Sequence, residues 1–201
     1  MKNLILILVF ILPSVVFSQR DGSKVMDVNN IDYRLLDSLI IVEINVVRDS
    51  LGNNNMHYSR LVSDNVSKIR CQKLHSEEKV YHPDGRLELY SEKLKSSIMG
   101  ESYSTYKFKG GVNVVDGFEI CLFKTKNYKL LTYGDIAKSI VDYWETSPDH
   151  CFVIRDVFNQ QITDNGKEVF LMSGVSTKYG TYKGKNGFYA VLNLTVVYKR
   201  Q

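Results

Sequence analysis

The chain has 201 residues, 26 Lys and Arg against 22 Asp and Glu, and a formal net charge of +4. The basic excess is small and scattered, and no basic patch with interleaved aromatics stands out among the 13 Tyr and 9 Phe, so the composition argues against nucleic-acid binding. Cys71, Cys121 and Cys151 are too few for a disulfide scaffold, lack the close spacing of a CxxC zinc site, and leave at least one thiol free or paired between chains; buried thiols are the simplest reading of the first two.

The chain opens MKNLILILVFILPSVVFSQR, one Lys ahead of an apolar run that closes on small residues, which predicts a signal peptide at residues 1–18. The run is short of the roughly 20 residues a bilayer span needs, so no stable transmembrane segment is expected after cleavage. A mature chain of 183 residues and net charge +3 suffices for one domain with a substantial core. Residues 19–31 are polar and read as a flexible leader, and the domain is expected over 32–201.

Over residues 32–51, Leu36, Ile40, Ile44, Val47 and Leu51 recur at helical spacing, widened by Leu35, Leu39, Val42 and Val46, which predicts a largely buried first helix ended at Gly52. Ser59 can cap a second helix with Val62, Val66 and Ile69 on its apolar side. Residues 75–86 read as a loop holding His75 and His82, and a third helix is expected over 87–97, followed by a turn at Ile98-Met99-Gly100-Glu101. Residues 103–123 look extended around Gly110-Gly111, which predicts a hairpin. Thr132 and Asp135 have capping-box spacing and open a helix carrying Ile136, Ile140 and Trp144, which Ser147-Pro148 should end just before His150; a short helical piece over 152–158 follows. Strands are expected at 169–173, 176–182 and 188–198, with a turn at 183–187. Amphipathic helices plus a terminal antiparallel sheet predict an α+β fold, a layered α-β-α sandwich.

His75, His82, Glu101, Glu145 and His150 are the residues that could share protons, orient water or hold a divalent metal such as zinc. The HExxH spacing that would fix two ligands one turn apart is absent. A nucleophilic alternative pairs Cys151 or Ser147 with a histidine, but no third residue that would orient the pair can be chosen from the order of the chain.

Taken in order, Glu43-Ile44-Asn45-Val46-Val47-Arg48, Tyr81-His82-Pro83-Asp84-Gly85, Gly100-Glu101-Ser102 and above all Trp144-Glu145-Thr146-Ser147-Pro148-Asp149-His150 resemble the CAP superfamily, the SCP-like extracellular domain, in its bacterial form. The resemblance implies a three-layer α-β-α sandwich with a central antiparallel sheet, in which Trp144, Ser147 and Pro148 are structural. It further implies that His82, Glu101 and His150 face a shared cavity that could hold a metal, with His75 in reserve. The protein it implies is secreted or periplasmic, a non-catalytic binding module for a small ligand, lipid or cell-envelope component, or alternatively a metal-assisted hydrolase or peptidase. Ser102, Asp149 and Cys151 depart from the family pattern, and the interval from Glu101 to Trp144, including an extension over 102–131, is longer than in compact bacterial relatives.

Overall fold

The computed structural model describes residues 21–82, 91–106, 112–125, 131–155 and 169–199. The expected signal peptide, the Pro83-Gly85 punctuation, the Gly110-Gly111 break and the end of the 152–158 segment lie outside them. The elements in chain order are helix α1 (Tyr33–Ser50), strand β1 (His57–Tyr58), helix α2 (Arg60–Val62) continuing through a π-helical segment (Ser63–Ser67) into α3 (Lys68–Glu77), α4 (Glu92–Tyr106), β2 (Val112–Thr125), α5 (Tyr133–Glu145), α6 (Pro148–Arg155), β3 (Val169–Tyr182) and β4 (Lys185–Lys199).

The sheet order is β1-β3-β4-β2, antiparallel except for the short parallel pair of β1 with β3. β4 is central, and alternation along it divides the molecule. Phe188, Ala190, Leu192, Leu194 and Val196 pack into one core with Leu36, Ile40 and Ile44 of α1, Ile136, Ile140 and Trp144 of α5, and Val153 and Ile154 of α6. On the opposite face Tyr189 and Val191 pack with Cys71, Leu74 and Cys121, and Val197 with Val62, Val66, Leu94 and Ile98. Helices thus flank both faces of a mostly antiparallel sheet, an α-β-α sandwich. Both faces of β4 are covered, since every residue from Phe188 to Val197 is buried.

Several local expectations change. Residues 98–101 do not turn: α4 runs through Gly100 to Tyr106. There is accordingly no hairpin between residues 103–106 and 118–123, because Tyr103 and Tyr106 are helical and β2 pairs with β4. The physical reason is partnership. An alternating aromatic run satisfies either period locally, and packing of Leu94, Ile98 and Tyr106 under the sheet decides for the helix. The strands expected at 169–173 and 176–182 are one strand, and the turn after it shrinks to Lys183 and Gly184, both with positive φ, as a two-residue hairpin of matching twist requires. In α1, Val42 and Val46 are more than half exposed, so the buried stripe is narrower than predicted; Ile69 of α3 is likewise exposed. Pro148 does follow the end of α5 at Glu145, but it also opens α6, where its missing N–H costs no helical bond. Part of the polar stretch after residue 19 is tied to the domain: Val25 bridges Thr132, and Met26 is buried.

Candidate functional site

The site lies at the outer edge of β2, which has no second strand neighbour among the described residues, where three segments meet. After α3 the chain turns at Glu78, in the left-handed region, with Lys79 N–H returning to Leu74 O at 3.1 Å. Tyr81 is then fixed from several sides: its ring lies 4.5 Å from the Arg70 guanidinium carbon, its hydroxyl donates to Glu77 at 2.9 Å, and its carbonyl accepts from Arg70 Nη2 and from Cys121 Sγ. This holds the next residue, His82, against the sheet.

The second segment is β2 itself. A bulge between Asp116 and Glu119 shifts the register against β4. Beyond it, Glu119 and Cys121, two residues apart, face the α3 side together. Glu119 accepts from Arg70 Nε at 2.9 Å and from Asn193 Nδ2 at 3.3 Å. The side chains of Arg70 and Glu119 are only 3% and 7% exposed, so each neutralises a charge that would otherwise be stranded.

The third is α6, anchored at its far end by Arg48 Nη1 and Asn53 Nδ2, which donate to the carbonyls of Ile154 and Arg155 at 2.8 and 2.6 Å. Arg48 is itself fully buried. The anchor fixes the opposite end of α6, and His150, in its first turn, brings Nε2 to 3.4 Å from His82 Nε2. His82 Nδ1 lies 3.9 Å from both Glu119 Oε1 and Cys121 Sγ. Among the described residues, His82, Glu119 and Cys121 offer ligand atoms that all lie within 4.8 Å of one another.

The electrostatics are uneven. Burial pushes the Cys121 thiol up to about 12, Glu119 adds to the rise, and Arg70 opposes it. Burial, followed by the neighbouring His82, holds His150 below the ordinary histidine value, against a smaller pull from Asp149. His150 is therefore a neutral imidazole with a lone pair to offer at neutral pH. A cavity of about 280 Å³ adjoins Cys121 and His150, walled by Val80, Phe123, Tyr143 and Tyr182.

The residues singled out in the sequence distribute unequally. His82 and His150 come together. Glu101 lies elsewhere: its carboxylate accepts from Ser59 Oγ at 2.5 Å. Ser59 extends β1 by donating to Ser173 O at 2.7 Å, and the register steps from Gly174 to Asn193 to Glu119, so three strand spacings, about 14 Å, separate the two carboxylates' rows. His75 packs edge-on against Tyr189 at 5.6 Å, over Gly180, where a Cβ would collide with its ring. Glu145 accepts from Arg155 Nε at 2.7 Å. Trp144 is fully buried core, Ser147 receives the Cys151 N–H at 2.8 Å through its carbonyl, and Cys151 is half-buried. Sequence reasoning missed Glu119 and Cys121 as site residues. Their signal was present, an acid and a thiol two apart on a strand and so on one face, and so was the Asn193 that holds Glu119.

No family model and no curated protein matches the chain. Two solved structures are similar to it. An outer surface protein from Borrelia burgdorferi is 16% identical with a TM-score of 0.43, over 82% of this chain and 92% of that one. An extracellular protein containing an SCP domain, from Bacillus anthracis, is 14% identical with a TM-score of 0.40, over 84% of this chain and 41% of that one. The chain thus spans less than half of the second protein. Likeness at these levels is distant and assigns no activity.

Proposed function

We propose that this chain is an exported CAP-type binding module, with a signal peptide at 1–18 and the domain over 32–201, whose β2-edge site holds a divalent metal ion through His82, Glu119 and Cys121. The convergence of those three ligand atoms from two separate segments carries the reading. One thiolate, one imidazole and one carboxylate form a donor set that suits zinc better than calcium or magnesium, which prefer all-oxygen surroundings.

The fit requires a modest contraction. Tetrahedral zinc with bonds of about 2.0–2.3 Å sets its ligand atoms about 3.3–3.6 Å apart; the two 3.9 Å separations from His82 exceed that by a few tenths of an ångström, and Glu119 and Cys121, within 4.8 Å of each other, must draw in by side-chain rotation. His82, with half its side chain exposed, has the freedom to close the gap. With Nδ1 directed at the ion, His82 carries its proton on Nε2 and donates it to the neutral His150, which orients the ring. His150 thus changes from a proposed ligand to the residue that positions one. The adjoining aromatic cavity would receive the apolar part of a small ligand or cell-envelope component, and it is also where a substrate would sit if the site hydrolyses one.

Calorimetric titration of the purified protein with zinc, magnesium and calcium tests the reading. Zinc binds one ion per chain, Cys121→Ser and His82→Ala each weaken it about a hundredfold, and His150→Ala about tenfold. No zinc heat, or equal heat in wild type and all variants, would overturn the assignment. A screen of peptide and ester substrates, with turnover lost in His82→Ala, would convert the binding module into a hydrolase.

A further inference from the structure

β1 leaves β3 after Ser173, and from there the edge of β3 has no strand partner among the described residues. Side chains take its place. Ser63 Oγ donates to Val175 O at 2.7 Å, Thr177 Oγ1 donates to Asp37 Oδ1 at 2.7 Å, and Tyr179 N–H reaches the Tyr33 hydroxyl at 3.4 Å. These groups come from both helical layers, α1 on one side and the π-helical segment with α3 on the other. Between them lies a cavity of about 250 Å³, the liquid volume of about eight waters at 30 Å³ each. It is on the opposite side of the sheet from the β2 edge.

The lining is divided by charge. Arg34, Arg60, Lys68 and Lys178 contribute four cations, and Asp37 and Asp64 are the acids. Asp37 is 6% exposed, and burial holds its carboxyl well above the usual carboxylate range despite the Thr177 hydrogen bonds that pull the other way. The Cys71 thiol, buried beside it, is likewise pushed up by burial. Burial thus disfavours the charged form of Asp37, the floor is rich in hydroxyls, and four cations outnumber the two acids. The π-helical turn, a conformation that recurs at functional positions, supplies Ser63 and Asp64 to the wall.

We infer that this pocket is a second ligand site, taking a small organic anion whose carboxylate or phosphate lies among Arg34, Arg60, Lys68 and Lys178 and whose polar body rests on Asp37 and Thr177. The two head groups share the same chemistry of anionic oxygens held by charge-assisted hydrogen bonds. Nothing in this assignment depends on a metal at the β2 edge.

Amide chemical-shift titrations of the purified protein with sodium phosphate and, separately, sodium acetate, at ionic strength held constant with sodium chloride, test it. At least one series gives saturable shifts confined to the amides of residues 33–37, 58–72 and 174–179, and the series that saturates at lower concentration names the head group. The Lys68→Gln, Lys178→Gln double variant weakens that saturation about tenfold or more while keeping the dispersed spectrum of a folded chain. Arg60→Gln is the substitute if the double variant loses that dispersion. Linear drift in both series, or saturation unchanged by the substitutions, overturns the inference.

Discussion

Gly174→Ala tests how the π-helical segment is seated. A Cβ at residue 174 would stand 2.5 Å from the Val62 carbonyl carbon and 2.7 Å from Ser63 Cα, and closer still to Ser63 N. All three are backbone atoms, so no side-chain rotation relieves the clash, and ordinary contact needs a retreat of about 1 Å. That retreat stretches two buried hydrogen bonds now at 2.7 Å, Ser63 Oγ to Val175 O and Ser67 Oγ to Gly174 O, beyond useful length. Each loss costs about 1–3 kcal/mol. The lower unfolded-state entropy of alanine returns about 0.4–1 kcal/mol, leaving a net destabilisation of about 3 kcal/mol. For a domain of this size that corresponds to a fall in Tm of about 6–12 °C. Thermal unfolding followed by circular dichroism measures it, and a Tm within about 2 °C of wild type would refute the close seating of this segment on β3.

Arg70→Leu strands the buried Glu119 and lowers unfolding stability by about 3–5 kcal/mol in urea titrations; the Arg70→Leu, Glu119→Leu double variant recovers most of the loss, and an equal loss in both would contradict the pairing. Zinc must displace a proton from Cys121, whose folded value is about 12, so zinc affinity rises about tenfold per pH unit between pH 7 and 9. Calorimetry on Cys121→Ser should show that slope flattened, and a slope retained in the variant would remove the thiol from the ligand set. Asp37 has a folded value raised above its unfolded 3.8, so its stabilising contribution is full below that value and is lost as pH rises towards the folded one. Asp37→Asn, neutral throughout, therefore gains on wild type by up to about 1.4 kcal/mol per pH unit above pH 4 in urea unfolding, and parallel pH profiles would show that Asp37 is charged in the fold.

What could be read in the sequence was whatever is decided locally or by strict periodicity. Thr132 and Asp135 form the expected capping box, with Thr132 Oγ1 receiving the Asp135 N–H at 3.1 Å and Asp135 Oδ2 the Thr132 N–H at 3.0 Å. Trp144 is core, and the Pro148 break delivers His150 to His82. The strand expected at 188–198 is present as β4, and its central position is what the structure adds. What could not be read was decided by partners far along the chain. The π-helical segment exists where Ser63 and Ser67 reach carbonyls more than a hundred residues away, and nothing within residues 59–69 announces it. The expected strands at 169–173 and 176–182 left a gap at Gly174, which lies inside one continuous strand and whose role is to admit another backbone. Glu101 was grouped with His82 and His150 by a motif, and its hydrogen bond with Ser59 places it beside β1, at the other edge of the sheet from them.

The sheet's connectivity also sets when this chain can fold. β1 has its partner in β3 and β2 has its partner in β4, so no two described strands before Val169 are hydrogen-bonded to each other. A nascent chain emerging end-first at about 5–20 residues per second carries its helices and two unpartnered strands until the β3–β4 hairpin arrives and admits both at once. Cooperative assembly is thereby postponed until β4 has emerged. Until then neither face of β4 is available for the helices to pack on, so the cores on its two sides close together.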